Sequence, residues 1–247
     1  MSLTHILALD ASSQACSVAL WSGTPEGHVS IVHRWALSPR QHTQKLLPMV
    51  DAVLEEAGCT LKEVDAFAYG HGPGSFTGVR VAAGIVQGLA MGANKPLLGI
   101  STLEALALQG FEEFRQQHPA VGGLQVLAAL DARMGELYVA PYRVKAVNGW
   151  IIPEPLDTER VLKPDALTLP AGEYRGMGAG LNYLAEFPPS VRESIVSVNV
   201  TAEPDAHYIS MLAAQHYFAG EACPPEEVQP VYLRNDVASR STRDPLG

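Results

Sequence analysis

The run from Tyr69 to Ile100, YGHGPGSFTGVRVAAGIVQGLAMGANKPLLGI, constrains the fold more than any other part of the chain. Ala66 to Tyr69 reads as an apolar strand, and five of the next nine residues, Gly70 to Gly78, are glycine or proline. A helix is expected from near Thr77, with Gly84, Gly88 and Gly92 at four-residue spacing along one face. Each glycine inside a helix costs roughly 1 kcal/mol relative to alanine. Three in register imply that another helix or backbone comes very close. A strand, a glycine loop and a helix also make a phosphate cradle. The two readings, packing surface and phosphate site, separate a docking protein from an enzyme.

The loop matches neither common nucleotide signature. A Walker loop ends in Gly-Lys-Ser/Thr, whereas Gly78 is followed by Val79; Gly72, Gly74 and Gly78 are spaced GxGxxxG, not GxGxxG. A tight strand-to-helix turn is the generic reading. Arg80 pulls the other way, because a cation in the first helical turn opposes the helix dipole and a nearby anion would offset it. A solvated arginine is the plainer account.

The chain has 247 residues and a net charge of −9, with 47% apolar and 17% charged residues. That length suits one large domain or two smaller ones. The acidic balance, without a basic block, argues against autonomous nucleic-acid binding, which needs phosphate neutralisation. Cys16, Cys59 and Cys223 are too scattered for a metal set and read as reduced thiols of a cytoplasmic protein. Asp10 interrupts the first apolar run, and no uncharged apolar stretch approaches 18 residues, so neither a signal peptide nor a membrane span is expected.

Ile6–Leu9, Cys16–Trp21 and Val29–Ala36 read as an antiparallel meander. Ser38-Pro39-Arg40-Gln41 has the form of a capping box opening a helix that Gly58 stops, with Pro48 inside it. Ser101-Thr102-Leu103-Glu104 is a second such box, after a strand at 97–100. Strands follow at 126–130 and 137–144, extended loops are expected over 148–170, and helices over 181–186 and 205–218. The tail beyond Cys223 is proline-rich and then polar, and partial mobility is expected there. The expected fold class is α/β, with two mixed sheets flanked by helices. The lobes are drawn at 1–108, completed by part of 205–247, and 109–204.

The segments ILALDASSQACSVALW, SPRQHTQKLLPMV, AYGHGPGSFTGVR, QGLA, DARMGELY and PVYLRN resemble the TsaB (YeaZ) family of the actin-like ATPase (ribonuclease H-like) superfamily. The likeness spans about residues 5 to 237 and is weakest over 145–200. It implies a non-catalytic accessory subunit for forming threonylcarbamoyladenosine at position 37 of tRNA. The implied partners are the transferase TsaD, the ATPase TsaE through the complex, a second copy when alone, and tRNA only indirectly. TsaD grips a metal partly through HxxxH in a segment of the type GVNHLEGHL; the matching positions here are Thr102 and Leu106, and leucine offers a metal nothing. Superfamily kinases carry DxGT or DxGS after their first strand, whereas Asp10-Ala11-Ser12-Ser13 has serine at the glycine. No catalytic residue and no metal ligand are therefore expected. Ser12, Ser13, Gly74 and Arg80 are weak candidates for contacting nucleotide, with no tightly bound cofactor but ATP or ADP conceivable at the partner interface. The helices at 39–57 and 77–91 are the implied docking face, with Arg40, His42, Asp51, Gly84, Gly88 and Gly92 as its residues; the alternative is that the glycines pack on the chain's own sheet.

Asp131, Arg133 and Glu136 at a hairpin tip read as an acid/base set or, more simply, a charged turn. None of the eight histidines forms HExxH or HxxxH, and no nucleophile is paired with a base, which speaks against a peptidase. An ATP-dependent kinase or phosphotransferase on the same fold is the rival reading.

Overall fold

The structure, a computed structural model, describes residues 3–26, 29–39 and 41–234. β1 (Thr4–Asp10), β2 (Ala15–Gly23) and β3 (Ser30–Leu37) form the expected meander, followed by α1 (His42–Ala57), β4 (Ala66–Gly72), α2 (Phe76–Ala93) and β5 (Leu97–Ser101). The sheet order is β3-β2-β1-β4-β5, with β4 parallel to both β1 and β5. After α3 (Thr102–Gln117) come β6 (Gly123–Arg133), β7 (Glu136–Val147), β8 (Trp150–Pro155), β9 (Arg160–Leu162), β10 (Tyr174–Met177), α4 (Pro189–Ser194), β11 (Ile195–Asn199) and α5 (Ala206–Phe218). The second sheet is ordered β11-β10-β6-β7-β8. With β6 in the role of β1, both sheets show one pattern: an antiparallel meander on one side and two parallel strands on the other. This is the ribonuclease H-like arrangement, present twice.

Burial explains the strand sequences. Ile6 and Ala8 point to one face of β1 and join α3 and α5 in a core shared with Val126 and Ala128 of the second sheet. Leu7 and Leu9 point to the other face, under Val50 and Val53 of α1 and Val79, Ala82 and Val86 of α2. With both faces covered, β1 is a continuous apolar run rather than an alternating one. α5 returns to the first sheet, where the backbone N–H of Ala206 donates to the buried Ser17 hydroxyl at 2.8 Å.

Local stops and caps act as their residue types dictate, with exceptions. Gly58 ends α1 at φ +62°. Ser75 caps α2, accepting from the Gly78 N–H, and Ser101 caps α3, accepting from the N–H groups of Leu103 and Glu104. The box at Ser38 does not form. Ser38 is buried beside the Cys16 thiol at 3.1 Å, α1 starts at His42, and its N-terminal residue Gln41 makes no side-chain cap. Arg40 lies outside the described residues, as does the polar tail after Arg234. Residues 148–170 are not simply loops, since β8 and β9 lie within them. Pro153 and Pro155 hid β8 from a sequence reading, but β8 is a sheet edge, where proline is tolerated. Residues 181–186 form a 3-10 helix, and β10, α4 and β11 had no counterpart in the sequence reading.

Cys16 and Cys59 are buried and Cys223 is partly so, all three unpaired. α2, with 18 residues, is long and apolar enough by composition to cross a membrane. The apolar run is longer than the sequence reading allowed because Arg80 and Gln87 punctuate it without ending it. The face carrying Val79, Ala82 and Val86 is already spent on the sheet.

Candidate functional site

Two features of the first lobe bear on function: the cleft between the sheets and the outer face of α1 and α2.

At the cleft, the glycine loop is closed by the chain's own backbone. A Cβ on Gly78 would overlap the Ala11 carbonyl oxygen, and one on Gly74 would overlap the Ser12 carbonyl. Gly72 sits at φ +111°, a conformation that side chains rarely tolerate, and a Cβ there would come 2.8 Å from the Val231 carbonyl oxygen. Ser75 N–H donates to the Ser12 carbonyl at 2.6 Å, locking the loop to the β1–β2 turn. Each of these glycines is accounted for by backbone approach.

The cleft itself has a volume of about 710 Å³. Ser12, Ser13 and Gly74 line it on one side and Asp131, Arg133 and Ala179 on the other, with Val231–Arg234 laid across. Glu203, also on its wall, has a carboxyl raised by burial against a lowering hydrogen bond from Ser13. His42 belongs here as well, its Nε2 3.5 Å from the Gln14 carbonyl oxygen, and not with the glycine stripe. Arg80 does not line the cleft. Its guanidinium lies 3.7 Å over the Phe76 ring and its Nε donates to the Tyr232 hydroxyl at 2.8 Å, so aromatic faces, not an anion, hold it. The hairpin tip acts as an anchor: Glu136 pairs with Arg234, and Asp131 accepts from the Arg133 N–H. Tyr232 and Arg234 lie in the segment PVYLRN that carries the family resemblance, but nothing in that run says which part of the fold it crosses.

Asp10 is fully buried behind Ser12. Its Oδ2 accepts from the Ser12 N–H and hydroxyl, both at 3.1 Å, while its Oδ1 faces Gly70 and has no partner. Burial pushes this carboxyl well above the usual range, with the Ser12 hydrogen bonds pulling the other way. The folded chain thus holds the proton more tightly than the unfolded chain. Its contribution to stability is complete below the ordinary value near 3.8 and is lost as pH rises through the raised folded value. Asp10→Asn is expected to remove that part of the pH slope. Above the window it should raise the melting temperature by a few degrees, since the amide oxygen keeps both Ser12 hydrogen bonds and no charge is left buried. Thermal melts of both chains from pH 4 to 9 check this; parallel pH curves would refute it.

The two positions matching the HxxxH histidines point inward. Thr102 is fully buried and donates to the Pro73 carbonyl, and Leu106 packs in the shared core. Among the described residues, no three His, Cys, Asp or Glu side chains converge as a metal site.

The outer face is different. A Cβ at Gly84, Gly88 or Gly92 would meet nothing within 4 Å, so the stripe does not pack on the chain's own sheet. It forms an open ridge on α2. On one side lies α1, which exposes Thr43, Leu47, Asp51 and Glu55 at four-residue spacing. On the other lies the C-terminal segment, whose Pro225 and Val228 carbonyls accept from Gln87 Nε2 at 3.1 and 2.9 Å. Met91 is 63% exposed and Leu47 46%. Glu56, by contrast, pairs with Arg34 and is not free for a partner.

Comparison with known proteins places this geometry. The family model for tRNA N6-adenosine threonylcarbamoyltransferase, TsaD, matches residues 36–174. The tRNA threonylcarbamoyladenosine biosynthesis protein TsaB of Escherichia coli (strain K12) is 42% identical over 241 residues, covering 95% of this chain and 96% of the relative. The TsaB protein of Haemophilus influenzae is 36% identical over 94% of each chain. The solved structure of YeaZ from Pseudomonas aeruginosa superposes with a TM-score of 0.80 at 38% identity, over 93% of this chain and 100% of that one. The TsaD-named model covers only part of the chain, whereas the TsaB and YeaZ relatives match nearly end to end, and end-to-end agreement decides. The chain belongs to the TsaB (YeaZ) family.

Proposed function

We propose that this chain is a non-catalytic subunit for threonylcarbamoyladenosine formation on tRNA, docking on TsaD through the face built by α1 and α2. The observation that carries the reading is the open ridge of Gly84, Gly88 and Gly92. Glycines that cost helix stability and touch nothing within the chain make sense when another backbone lies against them. The same face would pair two copies when no partner is present, and TsaE would join through the complex. Asp51, with Glu55, would stand at the rim, where charge sets partner choice more than affinity. A cytoplasmic location fits the relatives' role in tRNA modification, and tRNA would be reached through the partner.

The cleft has room for a nucleotide and a guanidinium in Arg133, while the Ser12 and Ser13 hydroxyls already donate to Asp10 and Glu203. Its loop glycines, however, are filled by protein, and Asp10 turns away behind Ser12. ATP or ADP held there would depend on groups that a partner supplies. That same cleft is the observation favouring the rival reading, an ATP-dependent phosphotransferase.

Purifying the chain alone and with TsaD, with mass by light scattering and modification of substrate tRNA as readouts, tests the proposal. The expected result is a stable complex, modification that depends on this chain, and no ATP turnover by the chain alone. A chain that ignores TsaD and turns over ATP by itself would establish the rival.

A further inference from the structure

A second cavity, of about 1080 Å³, opens where α3 begins, α5 ends and β8 passes into the segment 156–159. It shares no lining residue with the cleft. One wall is apolar, from Trp150, Ile152, Pro153 and Phe218. Trp150 is held by stacking on Trp21 at 6.3 Å and tilting against Phe218 at 6.0 Å, so this wall is preformed. The facing wall carries carboxylates. Glu159 accepts from the Tyr142 hydroxyl at 2.8 Å and from the Ser101 hydroxyl. Both donors go to Oε1, and no described residue donates to Oε2. The group is oriented yet only half satisfied.

The charge balance selects the ligand. Glu104, Asp157, Glu159 and Glu221 line the cavity, and no lysine or arginine does. His216 is the one cation among the lining residues, pushed up to about 9 chiefly by the Glu104 carboxylate and then by Glu221, with burial opposing. Its ring bridges Glu104 at 3.9 Å and Glu221 at 2.5 Å. Arg160 answers Asp157 at 3.0 Å from outside the lining. That leaves Glu159 without a counter-charge, and its carboxyl is raised first by burial and then by the neighbouring Glu104 carboxylate, against the hydrogen bonds from Ser101 and Tyr142. The C-terminal end of α5 favours positive charge, and the N-terminal end of α3, capped by Ser101 beside Glu159, opposes it.

We propose that this cavity binds a small organic monocation, an amine or guanidinium carried on an aromatic or branched apolar body. The cationic head would meet Glu159 and the body would lie against Trp150 and Phe218, an arrangement of few polar groups in an apolar pocket. The aromatic wall also favours a cation over a neutral ligand of equal shape.

Three probes of one shape class separate charge from hydrophobicity: 2-phenylethylamine, 2-phenylethanol and 3-phenylpropionate. Each is titrated into the full chain near pH 7.5 while the tryptophan indole N–H resonances are followed. Saturable amine binding is expected at least about tenfold tighter than the alcohol, the size of one charge-assisted contact. Propionate should be weakest. Glu159→Gln should bring the amine down to the level of the alcohol and leave the alcohol unchanged. Ile152→Arg, on the exposed rim, should suppress the amine and admit the propionate, and it serves if the first variant does not fold. Equal binding of amine and alcohol, no saturable binding of the amine, or amine affinity indifferent to the folded variants overturns the proposal.

Discussion

Gly84→Leu and Gly88→Leu are expected to leave the chain folded and to break the proposed complex with TsaD. At both positions an added side chain meets open space within 4 Å, so no core atom has to move. Replacing glycine in an exposed helical turn gains up to about 1 kcal/mol of helix propensity, and the melting temperature should hold or rise slightly. The complex should respond in the opposite sense. A leucine on the ridge holds an approaching helix off by the thickness of its side chain, and the contacts around it open. A loss of at least about 100-fold in affinity is expected, in the range of an interface hot spot. Titration calorimetry with TsaD, beside a thermal melt, separates the two effects. Affinity unchanged in a folded variant would show that partners dock elsewhere and that the ridge is idle.

Gly78→Ala should do the reverse, in the same helix and only two turns away. Helix propensity alone predicts a gain of about 1 kcal/mol. Against that, the new methyl would overlap the Ala11 carbonyl oxygen, a backbone atom that cannot rotate aside. Relieving it means shifting the N-terminus of α2 away from the β1–β2 turn, and Ser75 would give up its 2.6 Å hydrogen bond to the Ser12 carbonyl. Overpacking of this kind costs about 1–3 kcal/mol and at times more, and here the lost hydrogen bond adds to it. A net loss of about 3 kcal/mol is expected in urea unfolding, with Gly74→Ala losing a similar amount at the Ser12 backbone. If Gly78→Ala unfolds at the wild-type urea concentration, the loop has room that the geometry denies, and a phosphate-binding role for it gains ground.

Much of the architecture was legible in the sequence because the signals are local. The three-strand meander, the stop at Gly58, the cap at Ser101 and the helix from Asp205 depend on residues within a few positions of one another. Failures of local reading have local causes too. Ser38 looked like a cap, but burial beside Cys16 engages its hydroxyl elsewhere. The prolines of β8 looked like loop because nothing in a run of residues says which strand will be an edge.

The sequence by itself determined the elements of the first lobe, the start of its repeat in the second, the family, and the presence of three glycines in register on α2. It could not determine which way those glycines face, nor what holds Arg80, nor where Asp10 points. Arg80 meets Tyr232 across 152 residues, and the orphan oxygen of Asp10 is defined by Gly70 from another strand. The cleft is closed by Val231–Arg234 and the second cavity joins α3, β8 and α5. Such contacts follow from how sheets and helices stack, and stacking is settled by burial summed over the whole chain rather than by any one segment.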